Sequence, residues 1–268
     1  MIRFNPDNTI STDPITYPKK ITGTKLPQIL GINSPYVTPF QVWCDNMKVY
    51  KKAFVDNEYT IAGKKIEPKL AEYFKNKYRL TSLISPSDKY GEDYFSTTYG
   101  DFFRDTPIFG GMWDYLYYKD GQIASVIEMK TAKAKKRKES WTNSNGEKII
   151  PANYVLQTGE YAVLLKCDVV TFVTAFLEDE DYKNPDAFVP NDENTQIYTY
   201  RLSKDQPRFI ENYLKPAEEW WKKHILTGVS PKYDLNNRDD REIVEYLRSQ
   251  CQFDEQMKLE AVEGKIFW

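Results

Sequence analysis

The clearest pattern of apolar and polar positions lies between Phe109 and Lys130, FGGMWDYLYYKDGQIASVIEMK. There Ile123, Ser125 and Ile127 alternate with Ala124 and Val126 at the period of a strand. Asp120-Gly121 separates this run from the apolar residues before it, and Asp-Gly between two apolar runs signals a tight hairpin. Asp168–Leu177, DVVTFVTAFL, and Gln196–Leu202 predict two further strands, with an acidic, Pro-bearing loop between them. Helical periods appear elsewhere. Ile66, Leu70 and Phe74 recur every four residues over Ala62–Lys77, and Pro151–Lys166 has an apolar surface of Val155, Ala162, Val163 and Leu165. A short helix is expected over Thr22–Gly31, and Thr38-Pro39 opens another that carries Phe40, Trp43 and Met47. Ser203 and Gln206 fit a capping box for a long helix bent at Pro216, in which the Trp220-Trp221 pair is read as packing. A short acidic helix begins at Arg238 and is followed by a polar tail. Met1–Lys20 reads as an irregular arm, and Leu80–Asp105 has no clear period. The order is mixed α/β, with a central mixed sheet flanked by helices. A single domain is expected, with an arm over 1–20, a core over 21–202 and C-terminal helices and tail over 203–268.

Side chains two apart on a strand share a face, so Glu128 and Lys130 point the same way. A suitable hairpin register would bring Asp114 to them. Buried charge is costly unless it is paired or binds a metal, so such a cluster needs a reason. The alternative is a surface hairpin with a cross-strand ion pair. Glu67, beside Pro68, is expected in the first turn of its helix, where the helix dipole favours an acid. Tyr154, Gln157 and Tyr161 lie at spacings of three and four and line one helix face.

Composition narrows the chemistry. The chain has 268 residues, 41% hydrophobic and 28% charged, as expected of a globular protein. It has no apolar run near the roughly 20 residues that span a bilayer, and no apolar core of a signal peptide at its start, so a location inside the cell is expected. Three well-separated cysteines make no metal or disulfide pattern and are read as small buried hydrophobes. His224 is the only histidine, which argues against a His base, a Ser-His-Asp array or a multi-His metal site. Carboxylates, lysines and hard metal ions remain. A net charge of -2 excludes a globally basic nucleic-acid binder, but KTAKAKKRK, from Lys130 to Lys138, is a local basic run. It reads either as a solvated loop or as a phosphate contact.

Five stretches fall in a recognisable order: ITGTKLPQILGINSPYVTPFQVW, with its Gly-and-hydroxyl turn, S-P-Y turn and T-P-opened helix; GKKIEPKLAEYF; GGMWD; EMKTA; and IPANYVLQTGEYA. Over roughly Ile21 to Leu177 the chain resembles the YqaJ-type viral recombinase nucleases, relatives of lambda exonuclease in the PD-(D/E)XK superfamily. The resemblance implies a restriction-endonuclease-like core. It implies that Asp114, Glu128, the Met129 carbonyl and Glu67 hold Mg²⁺ or Mn²⁺, that Lys130 orients or deprotonates the attacking water, and that Gln157 and Tyr161 position the scissile strand or support Lys130. Thr24 would stand in a pocket for a 5′ phosphate. The arginine expected nearby is missing, which leaves Lys19, Lys20 or Lys25 to supply the charge. Lys133, Lys135, Lys136, Arg137, Lys138 and Tyr154 are expected at the DNA. The implied activity is 5′-to-3′ digestion of linear duplex DNA, leaving 3′ overhangs for a single-strand-annealing protein. It would be carried out by a ring-shaped trimer in the bacterial cytoplasm and encoded by a phage or prophage, with no membrane involved. An endonuclease of the same superfamily and a non-catalytic DNA-binding scaffold are the alternatives.

Overall fold

The computed structural model describes all residues except 33–35, 54, 203–204 and 263–268, with side chains in the final helix described up to Gln256. The S-P-Y turn at 34–36 and the Ser203 cap therefore lie largely outside the described residues. The chain forms two compact units, one of Ile21–Pro27 and Phe54–Lys215, the other of Met1–Lys20, Gln28–Ala53 and Pro216–Trp268.

The first unit is built on a five-stranded mixed sheet, in the order Leu83–Ile84, Tyr115–Lys119, Gln122–Lys133, Val169–Leu177, Thr195–Arg201. This is the α/β fold expected. Asp120 and Gly121 both have positive φ, +51° and +76°, which matches the twist of the two strands they join. In that hairpin Tyr115 lies opposite Ile127, with a register shift between Tyr117 and Tyr118. The Gln122–Lys133 strand is central. It pairs antiparallel on one side and parallel on the other, where Glu128 meets Phe172 and Lys130 meets Thr174. A parallel neighbour requires a crossover, which the Ala152–Leu164 helix supplies. Flanked on both sides, the strand is buried continuously from Ser125 to Met129, so its alternation in sequence understates its burial.

The helix expected over Ala62–Lys77 runs over Glu58–Tyr78. Asn57 starts it: its side chain accepts from the Tyr59 and Thr60 amides, while Thr60 Oγ1 accepts from the Asn57 amide. Glu67 therefore sits mid-helix, not in the first turn, and Pro68 lies inside the helix at the loss of one backbone hydrogen bond. Ala62, Ile66, Leu70 and Phe74 form the buried stripe and pack against Ile127, Met129, Val173 and Ala175 of the sheet. Another stripe faces the connection before the last strand. Lys69 Nζ donates to the carbonyls of Pro185, Asp186 and Phe188 at 3.0, 2.6 and 3.0 Å. Lys65 pairs with Asp186 at 2.6 Å, and Tyr73 and Lys77 hold Asp192. The segment without a clear period contains the Leu83–Ile84 strand and short helices at Pro86–Tyr90 and Tyr94–Thr98, and its Tyr90 and Phe102 pack with Trp113.

In the second unit the arm is more regular than expected, because Ile2–Phe4 and Ile10–Thr12 pair antiparallel. Thr38 caps the Pro39–Asn46 helix as read from the sequence. Buried Asp240 accepts from Thr38 Oγ1 at 2.7 Å and Gln41 Nε2 at 2.6 Å. The Nδ1 of His224 meets the Val229 carbonyl at 2.9 Å. Trp221 is buried, in keeping with a packing role. The region expected as one helix bent at Pro216, which belongs to the first unit up to Lys215 and to the second from Pro216, alternates α-helical pieces, Gln206–Phe209 and Lys215–Trp220, with π-helical ones, Ile210–Leu214 and Trp221–Ile225. The final helix, expected to be short, runs over Arg238–Val262. No described helix is long and apolar enough to cross a membrane. Cys44 and Cys167 are buried, and Cys251 is partly exposed.

Candidate active site

Glu128 and Lys130 project to the same side of the central strand, as strand periodicity requires, and Lys130 Nζ donates to Glu128 Oε1 at 2.5 Å. The same oxygen accepts from Gln157 Nε2 of the crossover helix at 2.7 Å. Glu128 Oε2 is buried and has no hydrogen-bond partner. Asp114 immediately precedes the Tyr115–Lys119 strand, and its Oδ2 accepts from the Met129 amide at 2.8 Å, so the hairpin register delivers the acid to the strand that carries Glu128. Glu67 approaches from the long helix. It lines a cavity of ≈ 200 Å³ with Gly63, Leu70, Met129, Lys130 and Thr131.

The electrostatics follow from crowding. Burial, then the charges of Asp114 and Glu128, pushes Glu67 up to about 8. Burial and Asp114 push Glu128 to about 7, against the pull of Lys130 and Gln157. Burial raises Asp114 as well, although Lys130 and the Met129 amide oppose it. Burial alone would lower the Lys130 ammonium, but Glu128 and Asp114 outweigh it and hold the group above its ordinary value. One cation therefore faces three carboxylates. Hard oxygen donors in negative excess, one oxygen without a partner, fit a divalent ion such as Mg²⁺ or Mn²⁺. Asp114 and Glu128 are the groups able to hold it, with Glu67 beside them. Among the described residues no three His, Cys, Asp or Glu side chains stand close enough together to hold a metal ion.

Tyr161 lies one turn after Gln157 on the Ala152–Leu164 helix. Its ring is buried, stacks on Phe103 with centroids 5.7 Å apart, and is wedged between two glycines. A Cβ at Gly23 would lie 2.9 Å from the ring, and one at Gly111, where φ is +127°, would lie 2.8 Å from the hydroxyl. The Gly23 Cβ would also meet the Gln157 carbonyl at 2.6 Å. Gly23 and Gly111 thus make room for the Gln157–Tyr161 face. Their signal was present in the sequence, as the Gly of the TGT turn and the second Gly of GGMWD. Tyr154 lies under Lys130, with Nζ 5.1 Å from its ring centroid, so it belongs to the site as well as to the expected DNA surface.

The expected DNA contacts divide. Thr24 is exposed, and its hydroxyl lies 3.2 Å from that of Thr22; Lys25 starts the short Lys25–Ile29 helix. Lys135, Lys136 and Lys138 are exposed, although Lys136 pairs with Glu139 at 3.0 Å. Lys133 lies 3.4 Å from Asp179 and over the Tyr59 ring. Arg137 is occupied within the fold: its guanidinium lies 5.6 Å from the Phe176 ring centroid and donates to the Glu193 carbonyl at 2.8 Å. Planar stacking and a carbonyl acceptor are available to it inside the unit.

Residues 17–167 match a model of the YqaJ-like viral recombinase domain, a span that includes Glu67, Asp114, Glu128, Lys130, Gln157 and Tyr161. The chain belongs to that family. It is 30% identical over 249 residues to the uncharacterized protein MG373 of Mycoplasma genitalium, covering 80% of this chain and 83% of that one. It is 27% identical over 249 residues, with the same coverage, to the MG373 homolog of Mycoplasma pneumoniae. Among solved structures it is similar to LHK-Exo in complex with dAMP, with a TM-score of 0.50 and 12% identity over 87% of this chain and 94% of that one. A phage related exonuclease from Haemophilus somnus 129PT gives 0.49 and 14% identity over 78% of this chain and 96% of that one. The LHK-Exo likeness shows the fold, and the family match places the acidic cluster inside the family's own domain.

Proposed function

We propose that this YqaJ-family protein is a divalent-metal-dependent DNA exonuclease that digests linear duplex DNA 5′ to 3′, leaving 3′ overhangs for a single-strand-annealing partner. The observation that carries the reading is the convergence of Asp114, Glu128 with its free oxygen, and Lys130 at one end of the hairpin. The exonucleases that share the fold support it. Asp114, Glu128, the Met129 carbonyl and Glu67 would hold Mg²⁺ or Mn²⁺, which when bound supplies Lewis acidity to a phosphoryl oxygen and acidifies water. Lys130 orients or deprotonates the attacking water and offsets the charge that develops on the phosphate. Gln157 holds Glu128 in place, and Thr24 with the nearby lysines receives the DNA end. A ring-shaped trimer and a location in the bacterial host cytoplasm complete the proposal.

The test is a Mg²⁺-dependent assay on end-labelled linear duplex beside a closed circle. Release of nucleotides from the linear DNA alone is expected, and faster release from 5′-phosphorylated than from 5′-hydroxyl ends. Equal cutting of both substrates would replace the exonuclease with an endonuclease. DNA binding without cutting in either metal would leave the non-catalytic scaffold.

A further inference from the structure

Trp141 follows the most basic stretch of the chain, KAKKRKES, yet it is 2% exposed. Its indole packs on Tyr154, with centroids 5.6 Å apart and planes tilted by 32°, and is flanked by Phe176 at 5.8 Å and Tyr198 at 5.2 Å. Tyr154 in turn presents its ring to Lys130 Nζ at 5.1 Å. Backbone bonds anchor the main chain that carries the indole: the Trp141 amide donates to the Lys136 carbonyl at 3.2 Å, and its carbonyl accepts from the Ile149 amide at 3.0 Å. Trp141, tied to the basic loop through the Lys136 carbonyl, thus reaches the half-buried Lys130 through the Tyr154 ring.

A lysine side chain has four flexible methylenes, and the bond to Glu128 fixes the ammonium from one direction only. The Tyr154 ring fixes it from another, because the negative face of an aromatic ring attracts a cation. That ring is itself held by the indole. We infer that Trp141 is a positioning residue, which presses Tyr154 against Lys130 so that the conformation of the basic loop sets the orientation of the ammonium. The inference rests on the reading of Lys130 as the working cation, and extends it to the loop that meets the DNA.

The experiment compares Trp141→Ala and Trp141→Phe by steady-state kinetics on linear duplex, and by acetylation of Lys130 relative to exposed Lys119, quantified by mass spectrometry. Trp141→Ala should lower kcat about tenfold while KM stays within about twofold, the scale of a lost cation–π contact. Lys130, whose side chain is 19% exposed in the native protein, should become severalfold more reactive relative to Lys119. Trp141→Phe, which keeps an aromatic face against Tyr154, should recover most of both effects. Unchanged kcat and Lys130 reactivity would overturn the inference, as would a rise in KM alone, which would make the loop a DNA contact and nothing more. If Trp141→Ala does not fold, Tyr154→Leu removes the same contact from its other side, and unchanged Lys130 acetylation there is equally fatal. If the native protein cuts no DNA, the nuclease reading falls, but the acetylation ratio still decides the positioning role.

Discussion

Glu128 and Glu160 are both buried in the same unit, 1% and 0% exposed, and burial raises the pKa of both. Their surroundings differ. Glu128 accepts from an ammonium and an amide on one oxygen and keeps the other free beside Asp114. Neither oxygen of Glu160 has a hydrogen-bond partner; the Gly110 amide stands near without closing a bond, and the nearby charge is the like charge of Asp101. An unpaired buried carboxylate responds by keeping its proton. Burial alone therefore does not mark a site. A buried acid becomes useful for binding cations when a neighbouring cation and a donor keep its charged form within reach, and Lys130 and Gln157 do this for Glu128 whereas Glu160 has no such neighbours.

The comparison is broken most severely by Lys130→Ala, which removes the cation from Glu128. Turnover should fall by about 10²- to 10⁴-fold, the range for loss of a positioned proton-transfer or charge-stabilising group, while metal-free DNA binding measured by fluorescence anisotropy changes little. A smaller effect separates the acids by metal response. A few millimolar Mg²⁺ should raise the melting temperature of the native protein and of Glu160→Gln, but not of Asp114→Asn; at 100-fold excess over Kd the stabilisation is about 2.7 kcal/mol. A shift that survives in Asp114→Asn would place the ion elsewhere.

The smallest effect concerns pH. The folded protein keeps the Glu160 proton above the ordinary carboxylate value of 4.5, whereas the unfolded chain releases it. Stability from this group is therefore complete below that value and is lost as pH rises. Glu160→Gln cannot titrate, so it should melt higher than the native protein at pH 8, by roughly 2–4 °C if relief of the buried acid is worth about 1 kcal/mol. The gap should close by pH 4. Parallel melting curves across that range would show that Glu160 is charged and paired in solution.

Local periodicity made the hairpin, the shared face of Glu128 and Lys130, and the Ile66–Phe74 stripe legible in the sequence, because each depends on neighbours a few residues away. Glu67 is expected in the first turn of its helix and lies mid-helix instead. Pro68 suggests a helix start, and the true start depends on Asn57 within the polar stretch DNEY. Contacts between distant segments were not legible. Arg137 reads as one more charge in a basic run until the sheet brings Phe176 under it, and Trp141 looks like a loop residue until Tyr154 and Tyr198 close around it. The aromatic residues between Tyr90 and Phe103 pack on one another and on Trp113 and Tyr161, without any period to announce it.

The parallel pairing of the central strand has a consequence for synthesis. Glu67, Asp114, Glu128 and Lys130 leave the ribosome early, but the strand that carries two of them has no partner on its second side until Val169–Leu177 arrives, and Gln157 precedes that strand on the crossover helix. Long-range pairing of this kind forms late, after its loop has closed. A nascent chain therefore holds all its charged groups for some time without the sheet that arranges them. Whatever the cluster does begins only when the βαβ crossover is complete.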